Sequence, residues 1–146
     1  MITILPAAPH HAEQMHEIEA AVFTEPWSEI SIKYEVMHKD TVAFVATDES
    51  ENVIGHVYMR HILDEGHISN IAVRKSHRKL GIGALLVEKL LEVARNRQMI
   101  GLTLEVRTSN RDAISLYKKH GFTAKGIRKG YYSQPREDGI IMWKYF

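Results

Sequence analysis

At 146 residues, 45% of them hydrophobic, the chain is long enough to bury one core without disulfides or a structural metal. It contains no cysteine, which excludes disulfide frameworks, thiolate zinc sites and a cysteine nucleophile, and agrees with a reducing compartment. Lys and Arg number 19 against 18 Asp and Glu, a net charge of +1, so there is no general pull toward nucleic acid or a membrane surface and any basic site must be local.

The N-terminal MITILPAAPHHAEQ has no basic segment followed by a long apolar run, and no stretch approaches the ~18 apolar residues that a bilayer requires. A soluble cytoplasmic protein is expected. ITIL at 2–5 reads as a short strand, after which Met15, Ile18, Ala21 and Val22 recur at helical spacing. Pro26, Trp27 and Ser28 interrupt that pattern, and Ser28 is placed to cap a second helix through about His38. TVAFVAT (41–47) and VIGHVYMRHIL (53–63) alternate like strands around ESEN, and a turn at Asp64, Glu65 and Gly66 opens HISNIAV (67–73). The second half then reads as helix from Gly83, strand LTLEVRT (102–108), helix from Arg111 to His120, GFTAKGIR (121–128) and a last strand IIMWKYF (140–146). Such alternation needs a crossover, which predicts an α/β fold with a mixed sheet covered by helices. No repeat or linker divides the chain, so residues 1–146 are expected to form one domain.

RKLGIGALLVEKLLEVARNR, residues 78–97, places two glycines at the mouth of a helix whose Leu85, Leu86, Leu90, Leu91 and Ala94 form an apolar face. Glycine there gives up helix stability. Walker and dinucleotide fingerprints both fail, since Ala84 and Leu85 follow Gly83 and Leu86 stands where a third small residue is needed. Arg78, Lys79, Gly81 and Gly83 nevertheless stand directly after a strand, where a helix N-terminus offers free N–H groups and residues without a Cβ admit a pyrophosphate. A plain glycine-rich turn with solvated basic residues is the other reading of the same spacing.

In LEVRTSNRDAISLYKKHGF, residues 104–122, the carboxylate of Glu105 lies mid-strand and points away from the face of Leu104 and Val106. Asn110 precedes a helix, and Tyr117 follows seven residues later. Each has a structural explanation on its own: an ion-paired strand residue, an N-cap and a core tyrosine. The nine histidines show no i, i+4 pairing with a carboxylate of the metalloenzyme type, so no metal is expected.

Taken together, NIAVRKSHRKLGIGALL and LEVRTSNRDAISLYKKHGF resemble the GCN5-related N-acetyltransferase superfamily. EPWS at 25–28 and GIRKGYYSQPREDGIIM extend the resemblance to the group of N-terminal alanine acetyltransferases that modify a bacterial small-subunit ribosomal protein, and to their archaeal relatives. Arg74 and Ser76 depart from that group's usual loop after the strand. The resemblance implies a mostly antiparallel mixed sheet of six or seven strands with about four helices, splayed between 67–73 and 102–108. It implies acetyl-CoA as co-substrate, with the pantetheine arm on Ile71, Ala72 and Val73, the pyrophosphate on Arg78, Lys79, Leu80, Gly81, Ile82, Gly83 and Ala84, and a further contact from Asn110.

Glu105 is then the general base and Tyr117 the general acid of a direct transfer, with backbone N–H groups near Val73 facing the oxyanion. Trp27, Tyr131 and Tyr132 are expected to line a peptide groove shaped by Arg128, Glu137 and Asp138. The implied partner is a protein N-terminus, a small-subunit ribosomal protein among the candidates, with no nucleic acid or membrane. Acetylation of lysine side chains or a small amine, and a non-catalytic acyl-CoA sensor, stay open at this point.

Overall fold

In the computed structural model, which describes residues 1–146, the predicted alternation of strands and helices builds one seven-stranded sheet. Strand β1 (Thr3–Pro6) is followed by helices α1 (Ala12–Val22) and α2 (Glu29–Met37), then strands β2 (Thr41–Thr47), β3 (Val53–Ile62) and β4 (Glu65–Val73). Helix α3 (Ile82–Asn96), β5 (Gly101–Arg107), α4 (Arg111–Lys119), β6 (Thr123–Ser133) and β7 (Arg136–Tyr145) complete the chain. The spatial order is β1-β2-β3-β4-β5-β7-β6. Only the β4–β5 pair is parallel; every other pairing is antiparallel. The parallel pair is the one joined through α3, as a crossover requires.

Two cores lie on opposite faces of the sheet. On one face Val42, Phe44, Val57, Met59, Leu102, Leu104 and Val106 pack against Ile82, Leu86, Val87, Leu90, Leu91 and Ala94 of α3. Each fully buried aliphatic side chain there contributes about 1.5–3 kcal/mol. Leu85, expected on that face, is 41% exposed, because the apolar stripe is centred on Leu86 and Leu90 and residue 85 falls one step (about 100°) outside it. On the other face Val45, Val53, Tyr58 and Ala72 meet Ala12, Met15, Ile18 and Ile32 of α1 and α2. α2 begins at a true cap, with Ser31 N–H donating to Ser28 Oγ at 3.1 Å.

The last two strands are longer than the periodicity predicts. β7 starts at Arg136 rather than Ile140, and β6 runs on to Ser133. Most of β6 is exposed on both sides, so this hairpin carries no apolar alternation to reveal it. The turn before β4 is also tighter than expected, with Ile62 paired to Glu65 across Leu63 and Asp64.

Near the tip of the β6–β7 hairpin, Glu137 gathers the Arg107 guanidinium (3.0 Å), the Thr108 hydroxyl (2.9 Å) and the Ser109 N–H (2.6 Å). Hydrogen bonds from Ser109, then Arg107 and Thr108, hold its pKa down at about 2 from a usual 4.5, against a smaller opposing effect of burial. A depressed carboxylate stabilises the fold fully above its unfolded pKa and loses that contribution as pH falls through the folded one. The gap in thermal midpoint between the native chain and Glu137→Gln is therefore expected to be full at pH 6, to shrink below pH 4.5 and to close near pH 2. A gap that stayed constant from pH 6 to pH 2 would contradict it.

Candidate active site

The site begins as a gap in the sheet. β4 pairs with β5 only at Glu65–Gly101, Gly66–Leu102 and His67–Thr103. Beyond His67 the two strands separate, while β5 stays paired to β7 as far as Arg107–Gly139. The splay leaves the edge of β4 from Ile68 to Val73 with backbone groups that no neighbouring strand satisfies. Ile71, Ala72 and Val73 lie on this edge.

A bulge sets which side chains face the gap. Tyr58 is opposite Asn70 and Met59 opposite Ile68, so Ser69 has no partner. In a regular strand His67 and Asn70, three residues apart, would point to opposite faces. The extra residue brings both to the α1–α2 face, where His67 meets Glu105 and Asn70 meets Tyr58.

Glu105 projects from β5 onto that same face, with Leu104 and Val106 buried behind it. Its side chain is only 9% exposed, and a carboxylate so placed needs partners. His67 Nε2 lies 2.9 Å from Oε1, and the Tyr131 hydroxyl donates to the same oxygen at 3.2 Å. Oε2 makes no hydrogen bond within the protein. The carboxylate is thus oriented through one oxygen, and the other is free for an incoming donor.

Tyr117 approaches from the opposite face. It is buried against α3, edge-on to Phe122 at 5.5 Å, and its hydroxyl makes no hydrogen bond within the protein. Burial, with a smaller effect of Tyr132, raises its pKa, so the phenol keeps its proton. Asn110 caps α4, its Oδ1 accepting from Ala113 N–H at 3.2 Å. Its side-chain nitrogen is left without a protein partner.

At the far end of β4 the chain turns through Lys79 (φ 64°) and Gly81 (φ 81°) into α3. A left-handed residue at the entrance favours glycine. A Cβ built on Gly81 would meet nothing within 4 Å, so it would project into open space. Gly81 has no side chain to cap α3, which leaves the N–H groups of Ile82, Gly83 and Ala84 without helical acceptors. α2 and α4 are capped by Ser28 and Asn110. α1 also lacks a side-chain cap but continues directly from the short 3-10 turn Pro9–His11, whereas α3 is preceded by exposed Arg78, Lys79 and Leu80. Uncapped N–H groups, flanking cations and open space above Gly81 fit a pyrophosphate. Arg74, a departure noted in the sequence, ties this loop back through Nε to Val53 O at 2.7 Å, and Ser76 Oγ lies 2.8 Å from His77 Nδ1.

A roof crosses the gap on the α1–α2 face. Thr24 Oγ1 donates to Gln134 O, and Ser133 Oγ donates to Glu25 Oε1 at 3.2 Å. The loop between α1 and α2 therefore touches the tip of the β6–β7 hairpin. Beneath it Trp27 stacks on Tyr58 at 5.0 Å, and Tyr131 packs edge-on to Tyr132. Burial first, then Tyr131 and Glu105, push the Tyr132 pKa up to about 12, and the Arg107 guanidinium lies 4.4 Å from its ring centre. Arg128 lies 5.7 Å from the Tyr131 ring, and Asp138 accepts from Gly130 N–H at 2.8 Å.

The structure brings together Glu105, Tyr131 and the splayed edge of β4, and sets Tyr117 on the other side of β5. Sequence reasoning missed His67, Asn70, Tyr58 and Glu19. A register between strands separated by a helix carries no local signal, and the bulge at Ser69 breaks the parity that would have grouped His67 with Asn70. No group of three or more His, Cys, Asp or Glu is placed to hold a metal, and no helix is long and apolar enough to cross a membrane.

A parallel strand pair thus opens beside a glycine-entered helix, with a nearly buried carboxylate at the opening. Residues 12–122 match the Acetyltransferase (GNAT) family, and the chain belongs to it. The chain is 34% identical over 142 residues to the ribosomal protein bS18-alanine N-acetyltransferase of Escherichia coli K12, covering 96% of this chain and 90% of that protein. It is 34% identical over 136 residues to the Haemophilus influenzae protein of the same name, covering 91% of each. The crystal structure of the E. coli ribosomal-protein-S18-alanine N-acetyltransferase superposes with a TM-score of 0.91 at 32% identity, covering 99% of this chain and 94% of that one. Ard1 from Thermoplasma volcanium superposes with a TM-score of 0.87 at 28% identity, covering 99% and 97%.

Proposed function

We propose that this chain, acting as one domain, is a cytoplasmic acetyl-CoA-dependent Nα-acetyltransferase whose substrate is a protein N-terminus beginning with alanine, first among them a small-subunit ribosomal protein. The observation that carries the reading is the nearly buried Glu105 carboxylate, held through Oε1 by His67 and Tyr131 with Oε2 free at the splay. The relatives' names support alanine and the ribosomal protein. The bridge between Thr24–Glu25 and Ser133–Gln134 supports a chain end, because a roofed cleft admits a terminus more readily than a loop.

An α-ammonium has a pKa near ~8 and is mostly protonated at neutral pH. Glu105 takes its proton, directly or through a water, and frees the nitrogen lone pair. Acetyl-CoA supplies the thioester carbonyl that the amine attacks, with the C–N bond forming as the C–S bond breaks. N–H groups on the open edge of β4 near Val73 face the developing oxyanion. Tyr117 donates a hydrogen bond to the departing sulfur, the surplus proton of the newly acylated nitrogen ends on that sulfur to give neutral amide and thiol, and the proton held by Glu105 returns to solvent. With no cysteine in the chain, a thiol-bound intermediate has no nucleophile, and transfer is direct in a ternary complex.

Arg78, Lys79 and the N–H groups from Leu80 to Ala84 hold the pyrophosphate, Ile71 to Val73 the pantetheine arm, and the free nitrogen of Asn110 adds a contact. Gly81→Ala tests this. The new methyl occupies the space above the turn and strains a left-handed residue by about 1–2 kcal/mol, so acetyl-CoA affinity is expected to fall about tenfold while the peptide KM holds. Unchanged affinity in a calorimetric titration would remove Gly81 from the cradle.

The deciding experiment is CoA release with peptides that differ only in Ala, Ser, Met or acetyl-Ala at position one and carry an internal lysine. Turnover confined to free N-termini, with Ala fastest, is the expected result. Equal turnover of the acetyl-Ala peptide would mean lysine acetylation and would end the Nα reading. Acetyl-CoA binding without any turnover would point to a sensor.

A further inference from the structure

Beneath the α1–α2 loop lies a group of buried polar side chains that the chemistry above does not use. Glu19 on α1 and His56 and Tyr58 on β3 are each fully buried. Glu19 Oε2 accepts from the Tyr58 hydroxyl and lies 2.9 Å from His56 Nε2, while Oε1 accepts the Trp27 N–H at 3.2 Å. His56 Nδ1 has no partner. Burying a carboxylate and an imidazole in this way is costly, and apolar side chains of similar volume would pack as well or better. What the group achieves is a fixed tyrosine hydroxyl.

The Tyr58 ring is stacked by Trp27 at 5.0 Å and by His56 at 5.5 Å. Burial, and then the Glu19 charge, raise its pKa, so the hydroxyl keeps its one hydrogen, and that hydrogen goes to Glu19. Only a lone pair remains for other partners, and Asn70 Nδ2 donates to it at 3.3 Å. A carboxamide has a donor end and an acceptor end. With the donor end committed to Tyr58, Oδ1 is turned away from it and has no protein partner. Asn70 stands half-buried on the splayed part of β4, on the same face as His67 and Glu105.

We propose that Asn70 Oδ1 accepts a hydrogen bond from the amine of the acetyl acceptor, and that Glu19 and Tyr58 are positioning residues that hold the carboxamide in this orientation. The inference rests on the Nα-acetyltransferase reading. The chemistry favours a neutral acceptor. A second carboxylate beside Glu105 would stabilise the ammonium and oppose its deprotonation, whereas an amide oxygen binds the amine before and after the proton leaves. With one N–H on Glu105 and another on Asn70, rotation about the Cα–N bond is restricted and the lone pair is aimed rather than free to turn.

The test is steady-state kinetics with acetyl-CoA and an N-terminal alanine peptide on Asn70→Ala, Tyr58→Phe and the double variant, with acetyl-CoA binding measured in parallel by calorimetry. Tyr58→Phe keeps the stacked ring, and truncating half-buried Asn70 removes its hydrogen bond to Tyr58 without taking an apolar side chain out of the core. Each single change is expected to raise the peptide KM about 5–20-fold, with acetyl-CoA affinity within about twofold. The double variant is expected to be no worse than Asn70→Ala, because Tyr58 acts through Asn70.

An unmoved peptide KM in Asn70→Ala, or losses that multiply in the double variant, would overturn the proposal. So would an equal loss of acetyl-CoA affinity, which would mean that the carboxamide serves the donor. Wild-type protein that turns over no free-N-terminal peptide would sink the Nα reading and this inference with it. Normal wild-type turnover with no KM effect in the variants would sink the inference alone.

Discussion

Glu105→Gln is expected to lower kcat at pH 7 by roughly 10²–10³-fold, with acetyl-CoA affinity unchanged. The substitution is isosteric, and a glutamine oxygen can still accept from Tyr131 at the position of Oε1, so the β5 strand and the gap beside it keep their shape. What is lost is the capacity of the second oxygen to accept a proton. Because the substrate amine loses its own proton as pH rises through about 8, the deficit should narrow between pH 7 and pH 9. That narrowing separates a missing base from a damaged site, which would be equally slow at both values. Near-normal turnover at pH 7 would take Glu105 out of the base role.

The parts of this site that were legible in the sequence are those written in local spacing. Gly81 and Gly83 after a strand, Asn110 before a helix, and Glu105 between two apolar strand neighbours each declare their element, and the structure places them where those elements end or open. The splay itself was expected from family resemblance, and it begins at His67–Thr103. The partners of Glu105 were not legible. His67 reaches it only because β4 and β5 run parallel across a crossover, a pairing of residues 38 apart in sequence. Asn70 joins the same face only through the unpaired Ser69. The long β6–β7 hairpin was hidden for a different reason. With β6 exposed on most of its length, the hairpin is held by its backbone ladder and is tied to β5 by the Arg107–Tyr132 contact and by Glu137, which leave no period in the sequence.

Tyr117→Phe carries the second large effect, a fall in kcat of about 10²-fold with little change in stability. The hydroxyl has no partner in the protein, and phenylalanine keeps the edge-on packing against Phe122, so the thermal midpoint should stay within about 2 °C. Loss of rate without loss of fold would assign the hydroxyl to the chemistry rather than to the core. The alkaline side of the pH profile adds a constraint. A leaving-group donor must be protonated, and burial, with a lesser effect of Tyr132, raises this phenol above its usual value near 10. Activity of the native enzyme should therefore persist past pH 9 with no decline that follows Tyr117. Complete proton transfer from so weak an acid to a thiolate is uphill, so its contribution is a hydrogen bond that strengthens as negative charge builds on sulfur. A poorer leaving thiol should then depend on it more. In acyl-thioester analogues whose thiols have higher pKa values, the penalty for Tyr117→Phe is expected to grow, and a penalty that stayed flat across the series would remove Tyr117 from the leaving-group step.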